Sequence, residues 1–372
     1  MMTGFICYIT TVHSPDDVRI YHKEAKSLVG AGYKVILIAP MEEVIELEGV
    51  KLIPLPKPKK RLDRFLRLPP AAFRAALASG AEVVHLHDPE LLFLGLALKL
   101  KGRKVIWDAH EDLPRQILSK PWLPKLIRHP VAKTMDVLER IITRKFDAVV
   151  AATPTIARRF PEDQVYVVQN YPILEQMSIP HPWPYRDRPP LVAYIGGISA
   201  IRGAREMVQA MEIAGERWGA RLLLAGNFSS KSLENELRKM PGWRYVDYMG
   251  WLSREQVAEA LGKARAGLVL FHPEPNHLDA QPNKIFEYMA SGLPVIASDF
   301  QLWKEIITAN GVGLLANPLN PEAIASAIGW VLEHPEEAEA MGVRGQKAVQ
   351  ERYNWDVEKQ KLLALYEEVL AK

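Results

Sequence analysis

One cysteine, Cys7, stands in 372 residues. That count excludes an internal disulfide and suits a reducing compartment. Long apolar runs are also missing, since the longest candidate, residues 91–98, is stopped by Lys99 and falls short of the roughly 20 residues of a spanning helix. The opening Met-Met-Thr-Gly-Phe-Ile-Cys-Tyr-Ile-Thr has neither the basic start nor the long apolar region of a secretory signal. The expectation is a cytoplasmic protein. A net charge of +3 is too small to argue for nucleic acid. The dinucleotide glycine fingerprint and the Walker lysine sequence do not occur. The composition, 48% hydrophobic and 24% charged, is that of an ordinary globular chain.

This length exceeds what one core usually serves, so two domains are expected. Short apolar runs alternate with longer periodic segments throughout, the pattern of parallel α/β units. In the first half strands are expected at 5–9, 34–38, 51–55, 83–86, 105–107 and 148–151, with helices at 18–29, 62–78, 90–100 and 125–143. Residues 171–190 are crowded with proline, which forbids a helix or central strand and stiffens a connection. A second series follows, with strands at 192–195, 222–225, 268–271, 295–297 and 313–315 and helices at 204–214, 232–239, 254–264, 284–290, 302–308 and 321–332. The expected division is 1–172, a linker at 173–190, and 191–354, closed by an amphipathic helix at 355–372. Two doubly wound sheets facing across a cleft would bind ligands where their strands' carboxyl ends meet.

The most informative stretch is Asp279-Ala-Gln-Pro-Asn283-Lys284-Ile-Phe-Glu287-Tyr-Met-Ala-Ser-Gly292-Leu-Pro294-Val-Ile-Ala-Ser298. It reads as a loop carboxylate, a helix start, a helical carboxylate, a glycine stop and a buried strand. A carboxylate accepts paired hydrogen bonds from a vicinal diol such as ribose, while free N–H groups at a helix start favour a phosphate. Asn283 and Lys284 stand at that start, where a positive charge adds to the backbone donors. In the loop after the second domain's first strand, Gly196 and Gly197 permit close backbone approach to a phosphate and Arg202 brings a permanent charge. The same glycines also serve tight turns that hold no ligand.

In the first half, His85-Leu-His87-Asp88-Pro-Glu90 and Trp107-Asp108-Ala-His110-Glu111-Asp112 end two strands and would face the crevice of an open sheet. His110 can donate to a sugar hydroxyl or shuttle a proton. A metal held by His85, His87, His110 and a carboxylate is the rival reading, but the spacing matches none of the usual zinc patterns and no metal is expected. In the first loop, His13 and Arg19 are expected beside the acceptor or donor phosphates, and Asp16 and Asp17 are natural caps for the next helix. Lys57, Lys59, Lys60, Arg61, Arg64, Arg67 and Arg74 interleave with Leu62, Phe65, Leu66, Leu68, Phe73 and Leu77. This segment is either a basic amphipathic surface for anionic lipid headgroups or a phosphorylated acceptor, or a solvated helix face over an ordinary core stripe.

Taken together these residues resemble the retaining GT-B glycosyltransferases of family 4, the glycosyl transferases of group 1, in a bacterial polysaccharide-associated branch. His13-Ser-Pro-Asp-Asp17-Val-Arg19-Ile resembles the amino-terminal loop of that branch, Trp107-Asp-Ala-His110-Glu the strand end with the family's active-site histidine, and Lys284-Ile-Phe-Glu287 the second half of its paired-glutamate signature. The resemblance implies two Rossmann-like domains, with helix 355–372 packing back on the first. It also implies sugar transfer from a nucleotide sugar, UDP- or GDP-linked, with retention, no cofactor and no obligatory metal. His110, Asp279 and Arg202 would then be catalytic. Gly196, Gly197, Arg202, Asn283, Lys284 and Glu287 would hold the donor, and His13, Asp17, Arg19 and His87 would lie on the acceptor side. The acceptor would be a saccharide or lipid-linked molecule in cell-surface polysaccharide or glycolipid synthesis, with the protein peripheral on the inner face of the plasma membrane. Two positions differ from the family pattern: Asp279 stands where a glutamate is expected, and Gly197 where an arginine is expected. A nucleotide-sugar epimerase of the same fold and a non-catalytic nucleotide-sugar-binding protein are the competing readings.

Overall fold

The computed structural model describes residues 4–58, 60–120, 123–177 and 183–372, so Lys59 and residues 178–182 of the proline-rich stretch lie outside the described residues. The chain forms two compact units, Met1–Asn170 with Trp355–Lys372, and Tyr171–Asn354.

The first unit is built on β1 (Phe5–Ile9), β2 (Lys34–Pro40), β3 (Ile45–Leu47), β4 (Val50–Leu55), β5 (Val83–Leu86), β6 (Lys104–Ala109), β7 (Ala148–Ala151) and β8 (Val165–Val167). Their order is β3-β4-β2-β1-β5-β6-β7-β8, and pairing is parallel except between β3 and β4. Central strands such as β5 and β7 are buried at every position, as strands covered by helices on both faces must be. The winding direction reverses between β1 and β5, so the loops after these strands border the crevice of a doubly wound sheet.

The second unit repeats the plan with β9 (Leu191–Ile195), β10 (Arg221–Ala225), β11 (Val246–Gly250), β12 (Ala266–Val269), β13 (Val295–Ser298) and β14 (Gly313–Ala316). All pairs are parallel, in the order β11-β10-β9-β12-β13-β14. Here the reversal lies between β9 and β12. Tyr171 and Tyr185, both in the proline-rich stretch, belong to this unit's buried clusters.

Four local differences from the sequence reading have physical causes. The helix expected at 62–78 breaks into Arg61–Leu66 and Leu68–Ser79, because Pro69 and Pro70 lack the N–H that a continuous helix needs and are tolerated only in a first turn. The helix expected at 18–29 starts as a π-helix, Val18–Ala25. The strand expected at 268–271 lies at β12, two residues earlier. Helix Pro335–Glu351, with Ala338, Gly342, Gly345, Ala348 and Val349 buried, shows a small-residue face that gives little hydrophobic signal.

Candidate functional site

In the second unit the glycine loop follows β9 and the Asp279–Glu287 stretch follows β12, so both flank the switch in strand order. Helix Asn283–Ala290 buries Ile285, Phe286, Tyr288 and Met289, each worth about 1.5–3 kcal/mol relative to exposure. Its orientation is fixed further by Ile195 N–H, which donates to the Tyr288 hydroxyl at 3.1 Å. Lys284 and Glu287, three residues apart, therefore share the partly open face. Pro282 precedes the helix and no side chain caps it; Ile285 N–H donates back to the Pro282 carbonyl at 3.1 Å, and first-turn N–H groups without an intrahelical partner can serve a ligand.

Gly196 has φ +131, and a Cβ there would meet Lys284 Nζ at 2.6 Å. A Cβ on Gly197 would meet Arg202 Nη1 at 3.0 Å, and Arg202 also donates to the Gly197 carbonyl at 3.4 Å. The guanidinium of Arg202 thus stands where a side chain at 197 would begin, so a cation is present although Gly197 replaces the expected arginine. Both cations lie over the Phe271 ring, Arg202 at 5.4 Å and Lys284 at 5.9 Å. Burial, and then the Arg202 charge, push the Lys284 ammonium down to about 8 against the pull of Glu287. A basic, glycine-floored loop at a helix start has the chemistry to hold a phosphate.

Asp279 lies partly buried in the loop before the helix. That loop is pinned where Trp303 Nε1 donates to the Ala280 carbonyl at 2.7 Å, and His277 Nδ1 lies 3.0 Å from the His272 carbonyl. The sequence reading passed over His272 and His277. His272 Nε2 lies 3.0 Å from Glu206 Oε2. The available signal was position, because both histidines follow a central strand at the switch point.

In the first unit, the π-helix explains a cluster of buried charge. Its i→i+5 repeat puts Arg19 and Glu24 on one face, with Arg19 Nε 3.0 Å from Glu24 Oε1. Arg19 also donates through Nε and Nη2 to Asp108 Oδ2, at 3.1 and 3.0 Å, and through Nη1 to the Val168 carbonyl at 3.1 Å. Arg19 is therefore an interior clamp and not an open acceptor contact. Burial opposes ionisation of Asp108, but the Arg19 guanidinium together with His110 and His87 outweighs it and holds that carboxyl well below its usual range. Burial pushes Glu24 well above its own, although Arg19 works against this. His85 and His87 are fully enclosed, burial taking His85 down to about 3 and His87 well below the usual imidazole value. His87, expected on the acceptor side, is 1% exposed.

Glu24, His85, His87 and Asp108 bring donor atoms within 4.8 Å of one another, and several of these atoms have no hydrogen-bond partner in the structure. By composition this set can hold a metal ion. Its geometry fits one poorly: Arg19 already engages both carboxylates, and the two imidazoles are stacked, 4.7 Å apart at 27°. In-plane lone pairs on stacked rings do not converge on one point. We therefore read the group as a charge network. It reaches the surface at His110, whose Nδ1 lies 3.2 Å from Asp108 Oδ1, an arrangement that fixes ring orientation.

Edge-on to His110, with centroids 5.1 Å apart, is His13. His13 Nδ1 lies 3.4 Å from Asp17 and its Nε2 3.7 Å from Asp88. Burial lowers its affinity for a proton, but the Asp17 hydrogen bond and the Asp88 charge outweigh this and raise its pKa. Asp17 caps the π-helix by accepting from Arg19 N–H and Ile20 N–H at 2.8 and 3.0 Å. The first unit thus presents His13, Asp17 and His110 together and buries Arg19 and His87 beneath them.

Residues 19–170 match the model of the glycosyl transferase 4-like domain and residues 189–334 that of the glycosyl transferases group 1. An uncharacterized glycosyltransferase of Methanocaldococcus jannaschii is 26% identical over 53% of this chain, and the match spans only 52% of that relative's length. A phosphatidyl-myo-inositol mannosyltransferase of Mycolicibacterium smegmatis is 23% identical over 93% of this chain and 88% of its own. Among solved structures, a sucrose-phosphate synthase of Thermosynechococcus elongatus superposes with a TM-score of 0.78 at 20% identity, covering 99% of both chains. Anabaena HepE in complex with UDP-glucose gives 0.75 at 13% identity, over 98% of this chain and 99% of that one. These likenesses show the fold, the two-domain Rossmann-like GT-B architecture.

Proposed function

Because the chain belongs to the group 1 and 4-like glycosyl transferases along both of its domains, we propose that it moves a sugar from a nucleotide-sugar donor to a saccharide or lipid-linked acceptor with retention of anomeric configuration. The observation that carries this reading is the convergence of Lys284 Nζ and Arg202 Nη1 on the Gly196-Gly197 turn, beside the helix start that bears Glu287. The diphosphate lies against the glycines, the two cations and the first N–H groups of helix Asn283–Ala290. Glu287 accepts from the ribose hydroxyls, one turn from Lys284. As the glycosidic bond breaks, charge grows on the departing diphosphate, and fixed cations at that place lower the barrier without reorganisation. In this reading positive charge comes from side chains and no metal is needed. Asp279 is assigned to the sugar end of the donor and His110, oriented by Asp108, to the transferred sugar. The UDP-glucose bound by HepE supports a UDP-sugar donor. The phosphatidyl-inositol acceptor named for the mycobacterial relative supports a lipid-linked acceptor and a peripheral place on the inner face of the plasma membrane.

Glu287→Ala tests the assignment. Losing hydrogen bonds to a charged group costs about 1.5–3 kcal/mol, so UDP affinity by calorimetry falls roughly ten- to hundredfold and transfer is lost while thermal unfolding is unchanged. Undiminished turnover overturns the proposal. Product formed from donor alone would identify an epimerase, and donor binding with neither transfer nor hydrolysis a binding protein.

A further inference from the structure

Helix Arg61–Leu66 is turned the wrong way for a core. Leu62, Phe65 and Leu66, at positions i, i+3 and i+4, make one face, and they are 63%, 58% and 64% exposed. A globular protein ordinarily buries such a face. Phe93, on the neighbouring helix Leu92–Leu100, is 62% exposed. Between Phe65 and Phe93 runs a groove of about 510 Å³, walled by Pro69, Phe73, Pro89 and Met135 among others. Three large apolar side chains on one short helix, continuous with an apolar groove, make a patch of the kind that marks an interaction site.

The surroundings say what the patch fits. Lys60, Arg67 and Arg74 are exposed on the same segment, Arg67 lying 4.0 Å from Asp63, so exposed cations accompany the apolar face along the chain. Among the described residues, the one charged residue lining the groove, Glu90, accepts from Arg64 Nε and from Thr11 Oγ1, both at 2.8 Å, so its carboxylate does not repel an anion. Thr11 belongs to the loop after β1 that carries His13 and Asp17. The groove therefore ends beside the residues read as the acceptor side.

We propose that this face docks on an anionic phospholipid bilayer: Leu62, Phe65, Leu66 and Phe93 enter the acyl layer, the groove takes one hydrocarbon chain, and Lys60, Arg67 and Arg74 meet headgroup phosphates. Exposed apolar side chains with a cationic rim are the recognition chemistry of a charged lipid surface. A chain seated in the groove leaves its head against the Thr11 loop, which orients a lipid-borne acceptor toward His13. The inference deepens the peripheral placement proposed above and rests on it.

Vesicle binding tests it without donor or acceptor, so its failure is separable from a failure of the transferase reading. Cys7 is buried, so Leu66→Cys carries a single environment-sensitive dye. In low salt the protein is expected to sediment with mixed phosphatidylcholine and phosphatidylglycerol vesicles far more than with phosphatidylcholine alone, with a blue shift of the dye. Lys60→Glu, Arg67→Glu and Arg74→Glu each weaken binding by about fivefold or more. The double substitution Phe65→Asp, Phe93→Asp abolishes it, with circular dichroism and unfolding temperature kept because both rings are exposed. The proposal is overturned if the wild type stays in solution with anionic vesicles, if binding survives the double substitution, or if the dye does not shift while the protein sediments.

Discussion

Lys284 is the residue on which the proposed donor site turns. Its ammonium is held down to about 8 by burial and by Arg202, and a bound diphosphate favours the charged form. Below pH 8 the free protein already carries the proton and affinity is level. Above pH 8 a proton must be taken up on binding, and affinity falls by up to about tenfold per pH unit. UDP titrations at pH 7 and pH 9 measure this, and Lys284→Arg, whose charge persists, flattens the profile. An affinity for UDP indifferent to pH in the wild type would remove Lys284 from the phosphate cradle. Lys284 and Glu287 were legible in the sequence because helix spacing, the glycine stop and the following strand fix their face. Arg19 was not, because nothing in the residue pattern announces a π-helix, and only its i→i+5 repeat turns Arg19 inward onto Glu24. His272 and His277 escaped because a lone histidine in a loop carries no period.

At the scale of elements, strands with continuous apolar runs were found in place, apart from the two-residue shift of β12, and the short edges β3, β8 and β11 were missed. Their burial is partial or absent, all three residues of β3 being exposed and all three of β8 half-buried, so no hydrophobic run marks them. The turn into helix Ala204–Trp218 shows how tightly the loops are specified. Gly203 there has φ +74, and a Cβ would lie 2.1 Å from the Leu270 carbonyl oxygen, whereas Gly219, at the far end of the same helix with φ +65, has nothing within 4 Å. Gly219→Ala is expected to cost only the left-handed conformation, about 1–2 kcal/mol. Gly203→Ala costs clearly more, because the Leu270 backbone must also move. Denaturant unfolding of the pair measures the difference, and equal losses would show that the loop yields.

For the whole molecule, helix Trp355–Ala371 is part of the first unit. Trp355 Nε1 donates to Ser27 Oγ at 2.9 Å, the Tyr366 hydroxyl lies 2.8 Å from His85 Nδ1 and donates to Tyr8 at 3.0 Å, and Glu358 accepts from Gln169 N–H at 2.8 Å. Its buried Leu362, Leu365, Tyr366 and Val369 contribute about 6–12 kcal/mol by area, comparable with the roughly 5–15 kcal/mol of a whole domain. A chain ending at Asn354 is expected to lose hydrogen-exchange protection in β1, β2 and β5 while β9 to β14 keep theirs. Persistent protection in β1 would show that the helix is dispensable. The amphipathic stripe of this helix was legible, but its destination rested on resemblance alone, since periodicity says that a face is buried and never against what.

The same helix sets an order of events on the ribosome. The first unit begins to emerge before the second, yet it is missing Tyr366 and Trp355 until all of Tyr171–Asn354 has been made. At about 5–20 residues per second that interval is on the order of ten to forty seconds, during which β1 and β5 lie without their covering helix and the second unit, continuous in sequence, folds ahead. Chains released at Asn354 should therefore be cut by protease in the older half and resist it in the younger.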